Sequence, residues 1–365
     1  MNFPTDPASI VDLLDRVDPV QYGKTRNFIN GAVTRLSPYI SRGVLTLPQV
    51  RDAVLAKGYQ PRQIEKFLQE LAWREFFQRV WWAQGDSLFQ DLKQPQAGVL
   101  HHQVPVALLN ASTGIDAIDQ QLHHLYETGY LHNHARMYIA GITCNLAGAH
   151  WHQPSRWMYY HLLDGDFASN TCSWQWVAGS FSSKKYIDNQ ENINRYLYST
   201  QTNTYLDQPY DTILKQPVPE ALRETTELNV TTILPNCDKQ VVLNPQLPVA
   251  LYTSYWINPA WRKDEPLNRV LLLEPSHFQK YPISQKVLAF IIQLAKETIP
   301  GIQIVTGEFS ELQQLLDKEQ QVYYLQHPLH RHFRGVADPY PWMFPQIQGS
   351  FSSFFSFWKK AEKHL

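Results

Sequence analysis

Apolar residues recur at three- and four-residue spacing along RQIEKFLQELAWREFFQRVWW, where Phe67, Leu71 and Phe77 predict a helix that Pro61 opens. Glu70, Trp73 and Phe77 stand at i, i+3 and i+7, so they share one face of it. Residues 1–60 carry two helical patterns around a turn-rich centre, YGKTRNFINGAVTRLSPYISRGVL, and Asp6 or Ser9 caps the first, IVDLLDRV. Gly31 and Pro38 break the periodicity of that centre. Thr34, Arg35 and Ser37 cluster there, either as an anion-binding turn or as an ordinary capped loop. Lys93 to Val106 reads as a loop with Pro95, Gly98 and Pro105, and Thr113 to Tyr126 as an amphipathic helix stopped by Gly129.

The stretch from Gly129 to Trp176, GYLHNHARMYIAGITCNLAGAHWHQPSRWMYYHLLDGDFASNTCSWQW, is the densest in chemistry. Asn133, Arg136 and Met137 lie at i, i+3, i+4 and share a helix side; His132 and His134 are spaced wrongly for a helical metal pair and read as local hydrogen-bonding residues. LLDGDFASN ends one helix and starts the next, with Asp166 or Ser169 as cap. Asp164 is a candidate partner for a buried Arg, because an unpaired buried charge is costly. Trp174 and Trp176, two apart on a helix, face different sides. Indoles beside Arg and Asp suit a planar, electron-rich ligand.

From Ser180 to Pro248 the pattern turns polar, a helix-loop finish and a linker, with Lys184, Lys185 and Arg195 as a solvated basic cluster. The period then changes. PVALYTSYWI, RVLLLEP, IQIVTG and VYYLQHP predict short buried strands alternating with the helices SQKVLAFIIQLAKE and FSELQQLLDKE, hence a small parallel α/β layer. It lacks GxGxxG and GxxxxGK[ST]. Glu274, His277, His327, His330 and His332 fall at or after its strand ends, where α/β ligands bind, although loop histidines are the simpler account.

An apolar fraction of 44% with 18% charged residues is that of a globular chain able to bury a large core, and 365 residues allow two domains. A net charge of −1 gives no global pull towards nucleic acid or membrane, so any DNA contact needs a local basic patch. Cys144, Cys172 and Cys237 are too few for an all-cysteine iron–sulfur cluster within one chain, and no metal site is expected. No basic start followed by an apolar core opens the chain, and its longest apolar run is too short to span a bilayer. A cytoplasmic protein is the expectation.

TRLSPYISRG (34–43), LAWREFF (71–77) and TGYLHNHARM through LLDGDFASNTCSWQW (128–176) together resemble the FAD-binding helical domain of the photolyase/cryptochrome family. The resemblance implies a mainly α FAD-binding domain over residues 1–200, a linker over 201–246 and a small C-terminal α/β domain over 247–365. It implies bent FAD held by Tyr22, Thr34, Arg35, Leu36, Ser37, Arg74, Asn133, Arg136, Asp164, Asp166 and Asn170. Arg136 and Asp164 match a salt-bridged pair beside the flavin ring, Asp166 a residue at its pyrimidine edge, and Asn170 the residue opposite N5. Glu70, Trp73, Asn133, Met137 and Trp176 match residues lining the pocket for a flipped cyclobutane pyrimidine dimer. Members that repair (6-4) lesions have histidines at the Asn133 and Met137 positions, and DASH-type cryptochromes usually have Gln at the latter.

Trp174 and Trp151 match the first two members of the family's electron chain. The third falls near His102, with Trp157, Tyr159 and Tyr160 as substitutes. Val33 and His134 depart from the family pattern, as does SSKKYIDNQEN after the WQW block. The usual N-terminal antenna domain is expected to be lacking, with the C-terminal layer a rearranged counterpart, so a second chromophore stays open. The implied activity is light-driven repair of UV-damaged DNA, with Glu70, Asn170, Trp174 and Trp151 as catalytic residues. The alternative is a blue-light photoreceptor signalling through a partner without repair.

Overall fold

The apolar repeat around Phe67 and Leu71 forms a twenty-residue helix, Glu65–Gln84, in the computed structural model, which describes residues 3–236, 241–317 and 319–365. Pro61 does not open that helix. It starts a separate 3₁₀ turn, Pro61–Gln63, closed by the Ile64 N–H bonding to the Pro61 carbonyl at 3.2 Å. The two patterns expected before it resolve into four short helices: Pro7–Asp15, Pro19–Thr25, Ser37–Ser41 and Leu47–Leu55. Asp6, rather than Ser9, caps the first; its carboxylate accepts the Ser9 N–H at 2.8 Å. Gly129 does stop the next long helix, Asp116–Thr128, in the left-handed conformation (φ 72°) that glycine adopts without strain.

By contacts the described chain forms two compact units. The first gathers residues 1–17, 34–75 and 231–365; the second gathers 18–33 and 76–230. The long helix runs from one into the other. The second unit is helical, with Trp151, Trp157, Met158 and Trp174 in its core. One minimal antiparallel pair, β1 (Val104–Pro105) with β2 (Thr225–Thr226), forms within it. Part of the stretch expected as a linker belongs to this core. Leu206, Ile213 and Leu222 are buried there.

In the first unit the four predicted strands form, with a fifth at the edge. They are β3 (Val249–Tyr252), β4 (Asn268–Leu273), β5 (Gln303–Thr306), β6 (Val322–Leu325) and β7 (Val336–Asp338). All pair in parallel, in the order β5-β4-β3-β6-β7. Val249, Leu251, Val270 and Leu272 alternate onto one face and pack with Phe309, Leu312 and Phe333. The order reverses beside β3, which places a crevice at the carboxyl ends of β3 and β6. Gly43, in the TRLSPYISRG stretch, is left-handed (φ 72°); a side chain there would meet the Tyr255 carbonyl at 2.9 Å. Cys144 and Cys172 are buried thiols, and Cys237 lies outside the described residues. Among the described residues no helix is long and apolar enough to cross a membrane.

Candidate functional site

The residues expected to carry chemistry divide between the two units. In the second, His132 precedes the helix Asn133–Gly141 and caps it, its ring nitrogen accepting the His134 N–H at 3.2 Å. One turn in, the Arg136 guanidinium donates to both oxygens of Asp164 at 3.0 and 2.8 Å, and to the Leu131 carbonyl at 2.9 Å. The Asp164 side chain is 5% exposed and that of Arg136 22%. A carboxylate so removed from water requires its cation.

Asp166 caps the next helix, Phe167–Ala178. One of its oxygens accepts the Ser169 N–H at 2.8 Å and the other the Gln78 amide at 2.7 Å. Beside it, Gln78 Oε1 and Ser169 Oγ are buried without a hydrogen-bond partner among the described residues. Such atoms are costly unless a ligand or water reaches them. Asn170, one turn on, donates its amide to the Ser155 carbonyl at 2.9 Å. The two indoles of this helix part as the spacing requires: Trp174 is 2% exposed, and Trp176 is 38% exposed against Tyr186 at 5.6 Å. Met137 and Tyr22 are half-buried, and Asn133 is exposed.

Trp151 is fully buried, and its indole N–H donates to Asp91 at 2.7 Å. The same carboxylate lies 3.5 Å from His150. The His150 ring stands 5.4 Å from that of Trp151 and 4.8 Å from that of His102, tilted only 25° from the latter. His102 is thus linked to Trp151 through His150. Of the substitutes considered, Trp157 is core and Tyr159 stacks on Phe167 at 4.3 Å. Lys185, expected in water, is half-buried, and burial lowers its pKa. Lys184 and Arg195 are exposed.

In the first unit, the Thr34 hydroxyl accepts the Leu36 N–H at 3.3 Å, and Arg35 holds a left-handed conformation (φ 57°). Leu36 is fully buried, and Ser37 begins the helix Ser37–Ser41. Arg74 donates to the Ser41 hydroxyl at 2.8 Å. Glu70 lies 3.9 Å from Lys66, and the Trp73 ring is stacked on Phe354.

The histidines after the strands gather at the sheet's carboxyl end. His330 Nδ1 faces the Leu325 carbonyl at 2.8 Å and so carries the hydrogen, leaving Nε2 to accept the Thr253 hydroxyl at 3.0 Å. His332 is bound to Glu274 at 2.8 Å, which raises its pKa. Burial lowers His330 to about 4 and His277 to about 3, so both are neutral. They border a cavity of ≈ 20 Å³ with Thr253 and Glu274, room for about one water. Among the described residues no group of three or more His, Cys, Asp or Glu is arranged to hold a metal.

Sequence reasoning missed Gln78, Asp91, His150 and Phe354. Gln78 had a signal, standing one helical turn after Arg74. Asp91 had none.

Residues 67–224 match the family model described as the FAD binding domain of DNA photolyase. The chain is similar to a deoxyribodipyrimidine photo-lyase of Synechococcus sp., 31% identical over 193 residues, which covers 49% of this chain and 40% of that protein. It is also similar to a cryptochrome DASH of Gloeobacter violaceus, 27% identical over 173 residues, 43% of this chain and 33% of that one. It therefore spans well under half the length of either relative. A solved cryptochrome of Synechocystis sp. superimposes with a TM-score of 0.47 at 22% identity, over 54% of this chain and 44% of that one.

Proposed function

We propose that this chain, with its FAD binding domain of the DNA photolyase kind over residues 67–224, is a light-driven flavoprotein that repairs cyclobutane pyrimidine dimers in UV-damaged DNA. The residues present fit the cofactor. Asp164 is held by Arg136, and the buried Gln78 Oε1 and Ser169 Oγ beside Asp166 await partners that a flavin's hydrogen-bonding edge would supply. FAD, when bound and reduced, supplies a photoexcited electron donor.

The chain's own residues do the rest. Arg136 fixes a positive charge through its twin bonds to Asp164, a preorganised field for a ring that gains and loses charge. Asp166, fixed by Gln78 and the Ser169 N–H, and Asn170, fixed by the Ser155 carbonyl, would hold the ring when it is bound. Arg35 stores of order 1–3 kcal/mol of backbone strain, as residues at ligand clamps do, in the loop proposed to meet the phosphates. Trp174 and Trp151 are proposed as internal electron donors. Glu70, Trp73, Asn133, Met137 and Trp176 are proposed to receive the flipped dimer, with aromatic faces for its bases and a carboxyl group for its carbonyls.

The observation that carries the reading is the split along the helix Phe167–Ala178: Asp166 and Trp174 are buried on it while Trp176 offers its indole to solvent. One observation favours the photoreceptor alternative, that Phe354 covers a face of Trp73. Blue-light repair of a dimer-containing oligonucleotide by reduced protein, with a dark control, decides between them. Repair that falls in Glu70→Ala and Trp176→Ala with the flavin spectrum intact supports the enzyme; no light-dependent repair by the parental protein favours the receptor.

A further inference from the structure

Trp151 is held in an arrangement that packing alone does not require. Its ring is fully buried, yet its indole N–H donates to the Asp91 carboxylate at 2.7 Å. A backbone carbonyl would satisfy the same N–H without bringing in a charge. One side chain builds both ends of that bond. The Gln96 N–H donates to the second Asp91 oxygen at 3.0 Å, Gln96 Oε1 accepts the Trp151 backbone N–H at 2.9 Å, and Gln96 Nε2 donates to the Ala149 carbonyl at 2.8 Å. His150 Nδ1 accepts the His152 N–H at 3.3 Å, so Nε2 carries the ring hydrogen and faces Asp91 3.5 Å away. Burial alone would raise the Asp91 pKa, but the bonds from Trp151 and Gln96 and the nearby His150 hold it below the ordinary carboxylate value, so the group is an anion.

Among the described residues, the aromatic rings paired with Trp151 are those of His150 at 5.4 Å and His152 at 5.5 Å. Burial lowers the pKa of both, which keeps them neutral. A neutral imidazole does not take a hole from an indole, so a hole that reaches Trp151 is held there until it returns or is trapped. An oxidised indole is a far stronger acid than the neutral one. A buried cation is costly, and moving the proton along the existing N–H···O bond leaves no charge on either partner.

We propose that Asp91 is the proton acceptor of Trp151 and traps the hole as a neutral indole radical. This rests on the reading of Trp151 as an internal electron donor. One electron leaves Trp151 by way of Trp174 for the oxidant, photoexcited oxidised flavin. The Nε1–H bond then breaks with its electron pair staying on nitrogen, and the proton forms an O–H bond on Asp91. Return of the electron now requires return of the proton as well, which slows recombination.

The test is flash absorption of the full chain carrying oxidised FAD, read in H2O and in D2O, with time-resolved infrared absorption alongside. The radical that Trp151→Phe removes should pass from its cation to its neutral form, more slowly in D2O, as a protonated-carboxyl band rises in the infrared. Asp91→Asn should lose that band and slow the passage about 10²-fold, at the low end of what a positioned proton acceptor contributes. In the dark, the Trp151 indole N–H resonance should move upfield in Asp91→Asn, because a neutral group replaces an anionic acceptor. Asparagine supplies one acceptor oxygen for the N–H groups of Trp151 and Gln96 that Asp91 serves, so the parental protein carries the decision if that variant does not fold.

The proposal is overturned by a Trp151-dependent radical that stays a cation, by a neutral radical arising with no carboxyl band, or by parental rates or an unmoved indole resonance in Asp91→Asn. Each of these leaves the electron-donor reading standing. No tryptophan radical, or one that Trp151→Phe leaves intact, sinks that reading and the proposal with it.

Discussion

The indole of Trp73 and the phenyl ring of Phe354 lie face to face, their centroids 3.8 Å apart and their planes 9° from parallel. Phe354 opens the helix Phe354–Ala361, whose Phe357 and Trp358 are also buried, and the Trp358 N–H reaches Glu65 at 3.4 Å. A base can stack on that face of Trp73 only where Phe354 does not. Phe354→Ala should therefore expose Trp73, which increased acrylamide quenching would report. It should also cost about 3–5 kcal/mol of stability, as large-to-small changes in cores do, read from urea unfolding. Should dimer-containing DNA bind Phe354→Ala no better than the parental protein, this face of Trp73 is not the one a lesion uses.

Arg136→Leu removes the partner of a nearly buried carboxylate. The expected loss is about 3–5 kcal/mol, typical of breaking a buried pair, and the purified variant should carry little flavin. Asp164→Asn, which leaves no orphan charge, should be milder in stability. Full flavin occupancy in Arg136→Leu counts against placing the cofactor beside this pair.

If Trp174 and Trp151 donate electrons, Trp174→Phe should abolish the radical signal seen by absorption after a blue flash, and Trp151→Phe nearly so. His102→Phe should change little, because an imidazole is a poorer donor than an indole. Indoles that serve only as core predict destabilised variants with a normal flash signal.

Acid should loosen the first unit. Unfolded, an imidazole takes its proton near 6.5; within the fold, burial delays this to about 3 for His277 and about 4 for His330. Between these values the unfolded chain binds more protons, so stability present above pH 6.5 is lost as pH falls, by about 1.4 kcal/mol per unit for each such group. The raised pKa of His332 acts in the opposite sense, its contribution fading as pH rises. His277→Gln should flatten the acid slope by one group's share, measured as urea midpoints from neutral to pH ~5.

Helices and strands were legible where one period runs unbroken, as at Phe67–Phe77 or in RVLLLEP. The Arg136–Asp164 pair was legible through its motifs, and the two side chains are hydrogen-bonded to each other. What escaped has no local signature. Phe354 meets Trp73 from nearly the other end of the chain, and Asp91 is just one acid in a loop until the fold brings it to Trp151. Leu206, Ile213 and Leu222 are single apolar residues in polar surroundings, so no period marks them as core.

The composition of the first unit also sets a timetable. Tyr39 packs on Phe290, Arg42 donates to the Ser254 carbonyl, Thr5 to Glu297, and Glu75 accepts the N–H groups of Met343 and Phe344. A ribosome adding roughly 5–20 residues per second would need on the order of 10–40 s between making Arg42 and making Ser254. During that interval Tyr39, fully buried in the finished fold, lacks Phe290, the ring it packs on. Most of the second unit, residues 76–230, is one continuous run already synthesised by then. The nascent protein therefore emerges with its helical body able to condense first and the segment around Tyr39 waiting, a natural client for a chaperone until β7 completes the sheet.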